Sequence, residues 1–534
     1  MVLVDGSNVT LAHLGIVAGV FDHLGIEKYI DAQIPKRRHH TVSHGISVKA
    51  LLLNALGFSE RRLYMIPDYY EDIATERLLG PGITPDDLNE YMLGETLDAI
   101  SRYGPTRLFT GIVLEMMKII QFDGHRLHHD TTSFCVSGRY DRDFGTRQIR
   151  IVRGHSKDHR DDLKQFVISL VTNQKGIPVF MEPLSGNESD KKTLLRSIRA
   201  VRENLIQEGT VYHMADAAFY TADNIKELGQ QCFWITRVPV TIGEAKEMLA
   251  ADVEWTPCQD TRYSYAQFER TYANVPQKWV LFHSSEGQRK NAEKYWVRID
   301  RAIKKDQTAL NKLCAKGYAC EADAQAIVDR WMKNHPQYLL ESTELTHTSK
   351  KASGSKGRPR NNEPRVGVWR VTCRLRLNEA FHAKECELLG RFILASNDCD
   401  IDPEIMLTYY KEQSTVERGF KFVKDSSFHA AEVYLKNENR IAALAMIMVL
   451  GLLVYTVAEW IIRDLLVKLK ATVRGLKDKP TNKPTMKRIF FLFRRVRQID
   501  EITDNVPYRR IMNLNPELPP ILHMLGPTYQ KYYA

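Results

Sequence analysis

The stretch Asp402–Lys424, DPEIMLTYYKEQSTVERGFKFVK, decides how the chain reads. Asp402 offers an N-cap oxygen, and Pro403 follows at a position where no N–H is needed, so a helix starts here. At about 100° per residue, Gln413, Glu417 and Lys424 fall at roughly 300°, 340° and 320° from Tyr410, within an arc of about 60°. An aromatic ring, an amide, a carboxylate and an ammonium on one stripe make a poor core face and a good site face. The expectation is one helix over 402–424 presenting Tyr410, Gln413, Glu417 and Lys424 together.

Working back from that helix, GRFILASND (390–398) reads as the strand that leads into it. Earlier, RLHHDTTSFCV (126–136), RQIRIVRG (147–154), GIPVFMEPL (176–184), TVYHMADAAF (210–219) and CFWITRV (232–238) are rich in β-branched and aromatic residues and read as strands. KKTLLRSIRAVRENLIQ (191–207) and TADNIKELG supply helices between them. Three close strands, a helix and then alternating strands and helices suit a mixed α/β sheet. Residues 240–385 interrupt it with alternating stretches, KWVLFHSS and VWRVTCRLRL, and with charged helical ones. Lys350–Arg365, KKASGSKGRPRNNEPR, reads as a mobile basic loop.

Residues 1–118 carry helical apolar spacing and basic clusters, Lys36-Arg37-Arg38-His39-His40 and Arg61-Arg62. They read either as a DNA-binding or dimerisation module or as a plain structural domain. Residues 437–534 begin with an apolar helix and continue into a basic region. Within that helix Ile441–Ala458 has no charge over 18 positions, the lower edge of a membrane span. Its periodicity continues into EWIIRDLLVKLK, so a buried helix is expected, with a membrane anchor as the rival.

At 534 residues several structural units are expected. Lys+Arg 75 against Asp+Glu 65 leaves a net charge of +10, which suits a polyanionic partner. The eight cysteines are scattered without a CxxC pair, which argues against a zinc framework or disulfide scaffold and for a reducing interior. No basic run precedes an apolar one at the N-terminus, so no signal peptide is expected.

The spacing Tyr410-x2-Gln413-x3-Glu417-x6-Lys424 resembles the Tyr-Arg-Glu-Lys signature of DDE transposases from bacterial insertion sequences, with glutamine where that family most often has arginine. The resemblance implies a multidomain α/β and α+β chain. Its ribonuclease-H-like catalytic domain would span 119–239 and 386–436. A β-rich insertion would occupy 240–385, between helical regions at 1–118 and 437–534. It implies an aspartate on the first strand, one after the fourth and a glutamate on the late helix. Asp130, Asp216 and Glu417 stand there as ligands for two magnesium or manganese ions.

Read alone, each acid has a plainer role. Asp130 sits in an apolar, hydroxyl-bearing strand where a carboxylate wants a facing charge, or else it is a solvated edge residue. Asp216 closes a strand, or caps a helix. Glu417 is a solvated helix residue without its neighbours. The resemblance places Tyr410 and Lys424 against the DNA backbone, where Gln413 can hydrogen-bond but not neutralise a phosphate.

GHSKDHRDDLKQF (154–166) resembles a further segment common in these enzymes. Lys157, Arg160 and Lys164 either border the active site or order a loop. His155 and His159, with Asp158 and Asp162, mimic half a zinc site that nothing else in the sequence completes. His128 shares a strand face with Asp130 and is a candidate to stand behind it. Gly186 and Asn187 suit a tight turn, with Ser189 or Asp190 capping the next helix.

The expected protein is a transposase of the bacterial cytoplasm and nucleoid, acting as a homodimer on double-stranded DNA, both element ends and target, without a membrane partner. Metal-activated water would cut at the ends, and the freed 3′-hydroxyl would attack the target. Two rivals are a transposase-derived DNA-binding protein without catalysis and a protein anchored by 441–458.

Overall fold

The structure, a computed structural model, describes residues 7–38, 40–57, 63–121, 123–140, 148–157, 160–205, 209–351, 364–424, 435–503 and 506–534. His39, Arg61, Arg62, Asp158, His159 and most of the basic loop at 350–365 lie outside the described residues. Two compact units divide the chain, one of Met1–Arg237, Arg270–Gln277 and Ser396–Ala534, the other of Val238–Glu269 and Lys278–Ala395.

The first unit opens with a strand, Ser7–Thr10, that pairs with Arg497–Thr503, so the two terminal regions expected to be helical also share a small sheet. The main helices that follow are α1 (Leu14–His23), α2 (His44–Leu56), α3 (Glu90–Tyr103) and α4 (Pro105–Ile119). Their starts are written locally: Ser43 Oγ accepts from the Ile46 N–H and Asn89 Oδ1 from the Met92 N–H, and Pro105 opens α4. Five adjacent strands of a nine-stranded mixed sheet follow, β1 (Arg126–Val136), β2 (Lys164–Asn173), β3 (Pro178–Ser185), β4 (Tyr212–Ala215) and β5 (Phe233–Arg237), in the order β3-β2-β1-β4-β5. β3, β2 and β1 pair antiparallel, while β4 and β5 add on in parallel. Between β3 and β4 runs α5 (Asp190–Asn204). Late in the chain come α6 (Pro403–Lys411), α7 (Ser414–Val423) and α8 (Glu438–Lys468).

The sheet corrects the strand reading at one place. Residues 148–154 form only an isolated bridge, Val152 to Gln165, and the second strand is Lys164–Asn173. KQFVISLVTN is buried on both faces between two neighbours, so it shows a continuous apolar run instead of the alternation that marks a half-exposed strand.

The helix over 402–424 is likewise two helices. Asp402 caps α6 as expected, its Oδ1 accepting from the Glu404 and Ile405 N–H groups. At Glu412–Gln413 the backbone stays right-handed but tightens, with Gln413 N–H donating to the Tyr410 carbonyl at 3.1 Å. The run Glu412-Gln413-Ser414-Thr415 holds no strong apolar anchor, and Ser and Thr favour helix starts over interiors. The arc computed for one helix therefore holds within each half only.

α8 carries the stretch read as apolar. It is the one described helix long and apolar enough to cross a membrane, and 83% of its apolar window is buried inside the fold. It packs among α1, α2, α3, α4 and β3. Arg440 near its start makes a bidentate pair with Asp98 on α3, at 2.8 and 2.7 Å. The N-terminal helices thus share one core with a helix more than 300 positions downstream.

In the second unit, a long charged helix (Ser285–Cys314) and a shorter one (Glu321–Lys333) pack on a hairpin of Tyr338–Lys351 and Arg365–Leu377. Leu310, Cys314, Val328, Tyr338, Val371, Cys373 and Leu375 form its small core.

Candidate active site

Asp130 is one of three half-buried positions, with Arg126 and Cys135, in a strand otherwise closed to water. Its side chain is 18% exposed, and Oδ1 accepts from the Thr131 N–H at 2.7 Å. Burial pushes its carboxyl up to about 6, opposed by Lys157 and the Thr131 N–H and reinforced by the negative charge of Asp216. Asp130 is therefore no solvated edge residue.

Parallel register then builds a row. His129 pairs with Ala215, and Ala215 with Thr236. The next residues along these three strands are Asp130, Asp216 and Arg237, set side by side at the spacing of neighbouring strands, about 4.8 Å. Asp216 Oδ1 accepts from the Ala218 N–H at 3.0 Å, and its carbonyl accepts from Thr236 Oγ1 at 2.9 Å. Thr221, not Asp216, caps the following helix. Burial raises the Asp216 carboxyl too, with Asp190 adding to the rise and Lys157 opposing it.

Tyr410, at the end of α6, closes the row from above. Burial raises its hydroxyl, which also feels Asp216 and Glu417 as negative neighbours and Arg237 as a hydrogen-bonding cation. Glu417 is exposed on α7 and acts on Tyr410 as a negative neighbour. α7 packs on β1, and Lys424 at its end sets its ammonium 5.6 Å from the centre of the Phe134 ring. Gln413, half-buried, stands at the joint between the two helices.

Lys157 enters from the segment before β2. There Gly154 and Gly186 pass backbone to backbone: a Cβ on Gly154 would meet the Gly186 carbonyl oxygen at 2.0 Å. Gln165 holds the crossing, donating to the Gly186 carbonyl at 2.7 Å and the His155 carbonyl at 3.2 Å. The Lys157 N–H donates to Ser133 Oγ at 3.0 Å, and its ammonium lies 3.5 Å from Asp130 Oδ1.

Other sequence candidates lie elsewhere. Arg160 is exposed and makes a bidentate pair with Asp162, both bonds 2.8 Å. Lys164 donates to the Arg139 carbonyl. His155 is exposed, and its expected partner His159 is outside the described residues. His128 is fully buried on the Asp130 face, yet its neighbour is Glu412, with Nε2 to Oε2 at 3.9 Å.

Four participants escaped the sequence reading. Asp190 does not cap its helix; it accepts from Thr131 Oγ1 at 2.7 Å and lies 3.7 Å from the Lys157 ammonium. Arg237 was read only as the end of a strand. Arg126 and Glu412 pair at 2.8 Å and tie the start of β1 to the end of α6. The signal for Arg237 was available: parallel strands in register place the residue after each strand end together.

Among the described residues no group of three or more histidine, cysteine, aspartate or glutamate side chains is gathered closely enough to hold a metal as it stands. The donor chemistry of the row nevertheless fits a hard divalent cation. Asp130 and Asp216 offer oxygen donors, and both carboxylates are buried and raised, a conflict that a cation relieves, while Arg237 at the end of the row is itself cationic.

A mixed sheet with acidic residues where its parallel strands end, flanked by helices, is consistent with a ribonuclease-H-like domain of a nucleic-acid-processing enzyme. Residues 146–455, more than half of the chain, match the model of the Transposase DDE domain, and the chain belongs to that family. Residues 7–114 match a Domain of unknown function (DUF4277). No curated protein matches the chain. The transposase match spans Asp216 and Glu417 and begins after Asp130.

Proposed function

We propose that the protein is an active transposase of the bacterial insertion-sequence group, with a ribonuclease-H-like catalytic core. It would hydrolyse the phosphodiester at element ends and transfer the 3′-hydroxyl strand into target DNA. The observation that carries this reading is the row Asp130–Asp216–Arg237 capped by Tyr410, inside a chain of the DDE transposase family.

Asp130, Asp216 and Glu417 would hold two magnesium or manganese ions, which when bound activate the attacking water and steady the leaving oxygen. The chain's own residues do the rest. The Tyr410 hydroxyl, kept protonated by burial, donates to a phosphate oxygen. Arg237 and Lys424 supply the positive charge that Gln413 lacks, so the phosphate is neutralised from two sides while Gln413 adds a neutral hydrogen bond. Lys157 borders the approach of the DNA backbone, and Arg160, exposed and paired with Asp162 away from the row, meets the backbone further out. Two ends must be brought together, so the acting form is a homodimer, and the working compartment is the bacterial cytoplasm at the nucleoid.

Glu417→Gln keeps the side-chain size and removes the charge. With Mg²⁺ and a plasmid carrying the native element, end cleavage by this variant should fall below detection. An undiminished rate would sink the assignment.

A further inference from the structure

Lys157 does more than border the site. Its ammonium donates to the Thr131 carbonyl at 2.6 Å and to Thr131 Oγ1 at 2.7 Å. It also lies 3.5 Å from Asp130 Oδ1 and 3.7 Å from Asp190 Oδ2. Thr131 Oγ1 in turn donates to Asp190 Oδ1 at 2.7 Å, which fixes that carboxylate in place. One cation is thus surrounded by a carbonyl, a hydroxyl and two carboxylates. That all-oxygen set is the kind a hard divalent ion takes.

The lysine is held there deliberately by the backbone. Its N–H is anchored on Ser133 Oγ, two residues further along β1, and the Gly154–Gly186 crossing admits no side chain. A side chain 32% exposed has open solvent as an alternative, yet it turns its charge inward.

We propose that Lys157 is a positioning residue, a tethered counter-ion that competes with a divalent cation for the Asp130–Asp190 edge of the site. This rests on the metal-dependent reading above. Two cations cannot share Asp130 at these distances without strong repulsion, so the ammonium lowers the metal affinity of the DNA-free protein. An incoming phosphate gives the ammonium another partner and relieves that competition. The device restrains a nuclease until its substrate arrives, and it makes metal and DNA bind cooperatively.

The test is a titration of full-length protein with Mn²⁺, followed by the EPR signal of the free ion, without DNA. Lys157→Met should bind Mn²⁺ on the order of tenfold more tightly than wild type, and Lys157→Arg should stay close to wild type. Lys157→Gln, which keeps a hydrogen-bond donor but no charge, carries the expectation of Met and serves if the Met chain misfolds. Thermal melts add a second readout. In EDTA the neutral variants should melt below wild type, and added Mn²⁺ should close the gap. Unchanged or weaker Mn²⁺ binding in both neutral variants overturns the proposal, since a purely structural lysine would give that result. Asp130→Asn separates the two levels: Mn²⁺ binding equal to wild type there overturns the metal reading itself.

Discussion

β1 carries three ionisable residues in succession, His128, His129 and Asp130, and its two faces treat them in opposite ways. On the rear face, His129 Nε2 meets His213 Nδ1 at 2.9 Å and His129 Nδ1 meets Ser197 Oγ at 2.8 Å. Ser197 donates its own proton to the Leu194 carbonyl, at 2.8 Å. His129 therefore donates from Nδ1, and with the ring neutral its Nε2 accepts from the His213 Nδ1–H. Burial drives both pKa values down, that of His213 to about 3, and holds both rings neutral. On the front face burial pushes Asp130 the other way, beside a second raised carboxylate, and the conflict is met by cations. Both faces bury titratable groups. Only the front one leaves a charge imbalance, and that imbalance, more than burial, distinguishes a site from a core.

The largest effect expected from breaking this contrast is on catalysis. Asp130→Asn should lower end cleavage by roughly three orders of magnitude or more, as for residues that act as one unit. His129→Ala should leave the cleavage rate of the folded protein within a few-fold of wild type. Its penalty should appear in denaturant unfolding, about 2–4 kcal/mol, from a cavity plus an unpaired Ser197 and His213. If His129→Ala removed cleavage without loss of stability, the rear face would have to be counted into the site.

Much of this contrast was readable in advance. The position of Asp130 in an apolar strand, and the strand alternation that sends His128 and His129 to opposite faces, are local properties of the sequence. The helical spacing either side of Glu412–Gln413 was readable, and the Asp402 cap with it, although the tightened turn that divides the stretch was not. What escaped depends on pairing. The strand at 164–173 hid because a central strand has no polar side to reveal it. Asp190 joins the site only because packing brings the start of α5 to Thr131, and Arg237 only because the β4–β5 register sets it beside Asp216. The role of α8 as the core of the N-terminal helices joins segments too distant for any periodicity to connect.

Titration sharpens the comparison, because the two faces should respond to pH with opposite sign. Asp130 has a folded pKa of about 6 against 3.8 unfolded, so the native state binds more protons between those values. Its contribution is favourable below about pH 4 and is lost as pH rises through 6. His213 is lowered from 6.5 to about 3, so its contribution is present above 6.5 and is lost as pH falls towards 3. Asp130→Asn should therefore gain stability relative to wild type as pH rises from 4 to 7, reaching about 1–3 kcal/mol. His213→Gln should show the reverse trend, its deficit shrinking as pH falls over the same range. Urea unfolding at pH 4, 5.5 and 7 checks both, and parallel curves for the two variants would refute the contrast.

The smallest effect concerns how the front face is roofed. Arg126 donates to Glu412 at 2.8 Å and sets its guanidinium 5.0 Å from the centre of the Tyr409 ring, joining the first residue of β1 to the end of α6. Each partner's side chain is 23% exposed, so the pair is partly screened and Arg126→Ala should destabilise by only about 0.5–1.5 kcal/mol. Its consequence for the site should still be legible, because α6 carries Tyr410 and the joint at Gln413. A loosened α6 lets Tyr410 drift from Asp216, which should weaken DNA binding several-fold more than it changes the Mn²⁺ affinity. Arg126→Lys keeps the charge but loses the planar stack on Tyr409. If Arg126→Lys restored stability and left DNA affinity low, the ring contact would be what orients the roof; full recovery of both would assign that role to the ion pair with Glu412.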